Sequence, residues 1–294
     1  MQNVRLSESA AAAIERGHGG KIRLSSRNGA NHAVGITLTV LTALAVVAFV
    51  RMDYGRVDLA TAAAQTWSDF CSMAFRPALD PPLGAAHFSW AKLGESACIT
   101  IAVTVLCTIL SAILSFFLAL AASENLSTPA VSNVVKGFVA IIRAIPTIIW
   151  VLVFTVAIGL GSEAAVLGIS FHSIAYLTKS YSESFEEIDE GVIEALSASG
   201  ASFWQIVFQA ICPATITKLL SWTFIRFEIN FANAVAVGAF AGAGGIGFQL
   251  YQAGNFYYNL HEVGVIVYVC LAVSFVLEFV SVRLRHRYII NADA

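Results

Sequence analysis

Four polar side chains stand in one strongly apolar stretch, Arg226, Glu228, Asn230 and Asn233, and their spacing decides what chemistry they can share. Arg226, Asn230 and Asn233 recur at i, i+4 and i+7, which puts a guanidinium and two carboxamides on one stripe of a helix. Such a stripe offers N–H donors to an anion. Glu228 follows Arg226 by two residues, about 200° around the helix, so these two cannot pair within their own element. The carboxylate then needs a cation from another helix, such as Arg143, or from a second copy of the chain. Two readings stay open: a structural ion pair between helices, or the lining of a passage for an anionic solute.

Motifs of covalent chemistry do not assemble. In "GHGGKIR", Ile22 follows the Gly-Lys pair where a phosphate-binding loop needs Ser or Thr, and Glu15 takes the place of its first Gly. No H-E-x-x-H or G-x-S-x-G occurs. Ser170 and His172, two apart on a helix, point in different directions, which argues against a serine hydrolase. We expect no catalytic residue, no metal and no cofactor held by this chain. The glycines at 238, 242, 244, 245 and 247 lack the βαβ context of a dinucleotide loop. Gly242, Gly244, Gly245 and Gly247 could form a gate or a docking floor for an external protein, beside Tyr251, Phe256, Tyr257 and Tyr258; close helix packing through small residues is the other reading.

The elements that position these groups are membrane helices. Of 294 residues, 57% are apolar and only 12% charged, outside the soluble range. Apolar runs at 32–50, 98–122, 144–161, 164–178, 216–241 and 263–282 read as six spans, most near the roughly 20 residues that cross a bilayer. The fourth is short and carries His172, so a re-entrant segment is the alternative there. Arg5, Arg16, Lys21, Arg23 and Arg27 precede the first run, and Arg283, Arg285 and Arg287 end the last, which puts both termini in the cytoplasm. The first run, behind a long charged leader, reads as a retained anchor rather than a cleaved signal. The five cysteines show neither disulfide nor metal spacing. Pro146 in the third run is either a kink or a first-turn proline.

Residues 182–213 break the apolar pattern on the cytoplasmic side. Glu183, Glu186, Glu187, Asp189, Glu190 and Glu194 cannot rest in lipid. After Gly200, Ser202 and Gln205 have capping-box spacing, so a short helix starts there, and it is expected to end by Pro213. Phe203, Val207 and Ile211 form one row on it, Trp204 and Phe208 the next. These rows either pack on the protein's own helix ends or dock into a cytoplasmic partner.

Glu194-Ala195-Leu196, Gly200 and Pro213 together resemble the E-A-A signature of ABC-importer permeases, with Leu196 where a second Ala is usual and Cys212 where an aliphatic residue is common. "RAIPTIIWVLVFTVAIGLG" from Arg143, "EEIDEGVIEAL" from Glu186 and "RFEINFANAVAVGAFAGAGGIG" from Arg226 are similar to the permease subunit of phosphonate-type importers. The resemblance implies an all-α, multi-pass protein of the bacterial inner membrane with type I importer architecture. It divides the chain into a tail (1–31), an anchor (32–50), an outer loop (51–97), a permease core (98–287) holding the hairpin, and a C-terminal tail (288–294). It further implies a homodimer, two cytoplasmic ATPase subunits that bind ATP and Mg, and an external solute-binding protein, without nucleic acid. Glu194, Ala195, Gly200, Ser202, Phe203, Trp204 and Pro213 would couple to the ATPase. Arg226, Asn230, Asn233, Glu228 and Arg143 would line the substrate pathway. Phosphonates are the expected cargo, with a phosphate- or phosphite-specific importer as the alternative. A secondary transporter using Glu228, Arg226 and His172 as an ion relay, or a non-transporting scaffold, are the rivals from other classes.

Overall fold

The computed structural model describes residues 14–16, 22–24, 29–51, 58–79 and 89–288. The chain divides into two units, 1–66 and 67–294. The first holds a short antiparallel hairpin, β1 (Ile14–Arg16) with β2 (Ile22–Leu24), in register Ile14 to Leu24. It also holds α1 (Gly29–Arg51), whose 23 residues reach about 35 Å at 1.5 Å each. Val34, Leu38, Leu44 and Phe49 are exposed along it, as a lipid-facing helix requires.

Residues 51–97 are not simply a loop. They contain α2 (Leu59–Phe75), preceded by Asp58, whose carboxylate accepts the Thr61 O–H at 2.6 Å and the Ala60 N–H at 3.1 Å. These hydrogen bonds hold the Asp58 pKa below its ordinary value. The end of α2 is tied to α11 (Leu260–Tyr288): Tyr268 donates to the Ala74 carbonyl at 2.5 Å, and His261 Nδ1 meets that of Arg76 at 2.5 Å.

In the second unit, α3 (Trp90–Ala122) and α6 (Ser162–Glu186) form the central pair. Cys107, Ser111, Ser115, Ala119 and Ser123 recur every fourth residue on α3 and its cap, all wholly buried. Small side chains at that period let two helices approach closely. The side chains of 107, 111, 115 and 123 then donate to the carbonyls of Val166, Ser170, Ile174 and Ser182, at 3.6, 3.2, 2.9 and 3.4 Å, each partner 59 residues on. A constant offset means that the two helices run parallel. The chain between them must therefore return across the membrane, which fixes the role of the next two elements.

That return is broken. α4 (Pro129–Ala144) and α5 (Thr147–Ile158) meet at 90° around Pro146, which caps α5. The run read at 144–161 thus holds α5 and the bend, with Pro146 at the kink, while α4 precedes it. Lys136 and Arg143 had kept α4 out of the apolar windows, although its Val131, Val134, Phe138 and Ile141 form an exposed apolar stripe.

The fourth span, read as 164–178, extends to 25 residues, about 37 Å, as α6. Among the described residues four helices, α1, α3, α11 and the one from Phe203 to Ala241, are long and apolar enough to cross a bilayer, five with the bent pair; α6 is long enough but too polar. The reason is its position: Ser170, Ser173, Thr178, Ser180, Ser182 and Ser184 are buried against other helices rather than lipid.

Two short helices follow, α7 (Glu190–Ala198) and α8 (Phe203–Ile206), then a π turn (Val207–Ile211) that runs without a stop into α9 (Cys212–Ala241). The expected end at Pro213 does not occur. Proline sits in the first turn of α9, where a missing N–H is tolerated, and the wide π turn bonds Cys212 N–H to the Val207 carbonyl just before it. At its far end the chain turns through left-handed Gly242, Gly244 and Gly245 into α10 (Gly245–Tyr251), a second π turn (Gln252–Phe256) and α11.

Candidate functional site

The hairpin of residues 182–213 is built from capping chemistry. Asp189 opens α7 by accepting the Gly191 N–H at 2.8 Å. At its end Gly200 N–H bonds the Ser197 carbonyl and Ala201 N–H the Leu196 carbonyl, a Schellman closure with Gly200 at φ +86°. The capping box follows, with Gln205 Oε1 accepting the Ser202 N–H at 2.7 Å.

The two rows read from the sequence are regrouped: Val207 and Ile211 turn inward with Ile206, while Phe203 joins Trp204 and Phe208 outside. Ile206, Val207 and Ile211 are buried in one cluster with Leu177, Tyr181 and Phe185 of α6. They seat the hairpin on the ends of its own spans. Phe203, Trp204 and Phe208 remain 44, 49 and 59% exposed as a ladder, with ring centroids 5.3 and 5.8 Å apart. Glu194, Ala195, Gly200, Ser202 and Pro213 are exposed on the same hairpin. The acids divide likewise: Glu183 pairs with Lys179, Glu186 with Lys136 and Glu187 with Lys218, while Glu190 and Glu194 are exposed.

Within the membrane the polar stripe of α9 is taken apart by its neighbours. Arg226, 2% exposed, donates from Nε to the Ser173 hydroxyl at 2.9 Å and lies 4.9 Å from the centre of the Tyr176 ring. Ser173 shares its own proton between Asn230 Oδ1 and the Ile169 carbonyl, each at 2.7 Å. Asn230 Nδ2 donates to Thr108 at 3.0 Å, and Thr108 to the Thr104 carbonyl. Asn230 is therefore a stitch joining α3, α6 and α9. Asn233 is half-buried one turn farther out. Glu228 turns toward α11, where it lines a cavity of about 130 Å3 with Ser274 and Glu278.

Arg143 reaches Tyr176 from the other side of the site, 6.0 Å from the ring centre. It also lines a cavity of about 300 Å3 with Lys136, Thr178, Lys179, Glu183 and Glu186, at the ends of α4 and α6 that lie on the hairpin side. Ser173, Tyr176 and Thr108 are the members that the sequence reading missed. A signal for the first two was present, the i, i+3 spacing on α6, but that span was read as a short apolar run.

Ser173→Ala is expected to leave Asn230 and Arg226 each short of a buried partner and to cost roughly 1–3 kcal/mol. A lowered melting temperature of the purified protein, restored by Ser173→Thr, checks this.

The glycine run at the outer end packs tightly. A Cβ on Gly247 would stand 1.7 Å from the Val235 carbonyl oxygen, and one on Gly245 2.4 Å from Thr100 Oγ1. Thr100 Oγ1 in turn accepts the Ile246 N–H at 2.9 Å, so α10 is seated between α3 and α9. The close-packing reading accounts for Gly245 and Gly247.

Residues 112–288 match the family model described as binding-protein-dependent transport system inner membrane component. The phosphate-import permease protein PhnE of Mycolicibacterium smegmatis is 30% identical over 171 residues, 58% of this chain and 32% of that one, so the match spans about a third of that relative's length. The phosphite transport system permease protein PtxC of Stutzerimonas stutzeri is 29% identical over 209 residues, 71% of this chain and 74% of that one. Among solved structures, an inward-facing conformation of the MetNI methionine ABC transporter shares the fold, with TM-score 0.61 and 22% identity over 67% of this chain and 96% of that one.

Proposed function

The chain belongs to the family of binding-protein-dependent transport inner-membrane components, and on that premise we propose that it is the permease of an ATP-driven importer for phosphonates or related phosphorus oxyanions. Two copies enclose the passage in this reading. Two cytoplasmic ATPase subunits, holding ATP and Mg, grip the hairpins of residues 182–213, and an external binding protein delivers the solute. Glu194, Ala195, Gly200, Ser202, Phe203, Trp204 and Pro213 form the coupling surface. The chain itself contributes no catalytic residue and no cofactor.

The observation that carries the coupling is the divided hairpin: one apolar row buried in the protein's own core, the aromatic ladder left exposed. Phe203, Trp204 and Phe208 are the large anchors that a partner cleft would desolvate, worth about 2 kcal/mol or more each where they act as hot spots. Trp204→Ala with Phe208→Ala is expected to cut ATP-driven uptake at least tenfold while the permease still inserts. Co-purification of the ATPase with the double variant at wild-type yield would remove the docking role.

The cargo class rests on the sequence resemblance and on the two relatives named for phosphate and phosphite import. Gene-dependent uptake of a labelled phosphonate that resists excess phosphate establishes the phosphonate reading. Competition by phosphate or phosphite shifts it to the narrower alternative. The ion-relay rival loses support from the geometry, because Arg226 is bound to Ser173 on α6 while Glu228 turns to α11. Collapse of uptake under a protonophore at constant ATP would restore that rival. Gly242 and Gly244 remain the outer gate or binding-protein contact in this reading.

A further inference from the structure

Two guanidiniums from different helices lie over one aromatic ring. Arg143 of α4 and Arg226 of α9 lie 6.0 and 4.9 Å from the centre of the Tyr176 ring on α6. His172, one turn earlier on α6, is within electrostatic reach of both. Neither arginine joins an ion pair among the described residues. The two cations repel one another, and the π face of a single tyrosine offsets only part of that cost.

The two arginines differ in what surrounds them. Arg226 is 98% out of solvent, held by Ser173 through Nε, and its Nη2 has no hydrogen-bond partner among the described residues. Arg143 is exposed and faces the 300 Å3 cavity on the hairpin side. The other cations of that cavity are already matched, Lys136 to Glu124 and Glu186, Lys179 to Glu183. Arg143 therefore supplies the cavity's unmatched positive charge.

We propose that Arg143, Tyr176 and Arg226 form a two-station relay that passes a tetrahedral phosphorus oxyanion from the membrane interior into the cytoplasmic cavity. Arg226 is the inner station, aimed by Ser173 as a positioning residue. Arg143 is the station at the cavity, where the carboxylates Glu186 and Glu183 are held by Lys136 and Lys179, and Tyr176 offers both guanidiniums a neutral ring. A phosphite or phosphonate group is smaller than the cavity and accepts paired N–H donors from guanidinium, which suits Arg better than Lys at both positions. The relay rests on the phosphorus-oxyanion reading above for the identity of its ligand, but its geometry can be tested apart from uptake.

The complete transporter, with its ATPase subunits but without the binding protein, is placed in lipid nanodiscs and titrated with phosphite followed by 31P line broadening. Wild type is expected to broaden the signal. Arg143→Gln is expected to weaken binding roughly 10- to 100-fold, the loss of one or two charge-assisted hydrogen bonds. Because Arg143 is exposed, that variant should fold normally. Arg226→Lys keeps the buried charge but loses the fork and is expected to weaken binding about tenfold. Tyr176→Leu, which removes the ring face, should weaken binding as well.

Unchanged broadening in both arginine variants, or none in wild type, overturns the relay. Uptake of labelled phosphite in cells then separates the two claims. Gene-dependent uptake unaffected by Arg143→Gln overturns the relay and leaves the importer reading standing. Arginine-dependent broadening without gene-dependent uptake supports the anion site and overturns the cargo assignment.

Discussion

Gly200→Pro is expected to reduce ATP-driven uptake to background while the spans still insert and the ATPase subunits still hydrolyse ATP. Gly200 has φ +86°, and proline is locked near −65°. Its N–H donates to the Ser197 carbonyl, a bond that proline cannot make. Loss of both should cost roughly 3 kcal/mol locally. No heavy atom lies within 4 Å of a Cβ built at Gly200, so the damage comes from the backbone and not from crowding. Gly200→Ala is the graded control: it keeps the N–H and meets only the left-handed strain of about 1–2 kcal/mol. Uptake and ATP hydrolysis measured together in proteoliposomes decide the matter. Full coupling in Gly200→Pro would remove the hairpin from the mechanism.

Gly247→Ala should act at the opposite end and through folding. An added methyl would overlap the Val235 carbonyl oxygen at 1.7 Å, and that oxygen belongs to α9 backbone, which cannot swing aside. α10 must lift off α9 and α3, and the Ile246 N–H bond to Thr100 goes with it. Overpacking of this kind typically costs 1–3 kcal/mol, enough to change membrane abundance several-fold. Gly254→Ala meets only Val263 Cγ2 at 3.8 Å and is expected to accumulate normally. Quantitative immunoblotting of membranes tests the pair. Normal abundance of Gly247→Ala with altered uptake would favour the gate over the packing role.

The sequence made some of this legible and hid the rest for physical reasons. The capping box at Ser202 and Gln205 and the turn at Gly200 depend on neighbours in the chain, and both are found as read. Apolar windows located α1, α3, α9 and α11, because these helices meet lipid and must be apolar. The same windows cut α6 short, to 164–178, and missed α4. α6 is shielded by protein and can be rich in serine, while α4 keeps one polar face toward the cavity with Lys136 and Arg143. The polar stripe on α9 was visible, but not how it divides, since Ser173, Thr108 and Glu278 lie far away in sequence. Spacing along one helix shows which side chains share a face; it does not show which of them neighbouring helices will engage.

The fixed offset of 59 residues between the donors of α3 and the acceptors of α6 constrains how this chain can vary in length. Adding one residue inside either helix would turn everything beyond it by about 100°, carrying each later hydroxyl away from its carbonyl at once. Residues added in the connections on either side of the bent pair would change the count but none of these four contacts. Insertions should therefore accumulate in the connections around the bent pair and be purged from the two helices. A conformational cycle meets the same restriction, because sliding by a single residue would break all four bonds together. The parallel pair is therefore expected to act as one strut, which leaves the elbow at Pro146 as the place where such a cycle would bend.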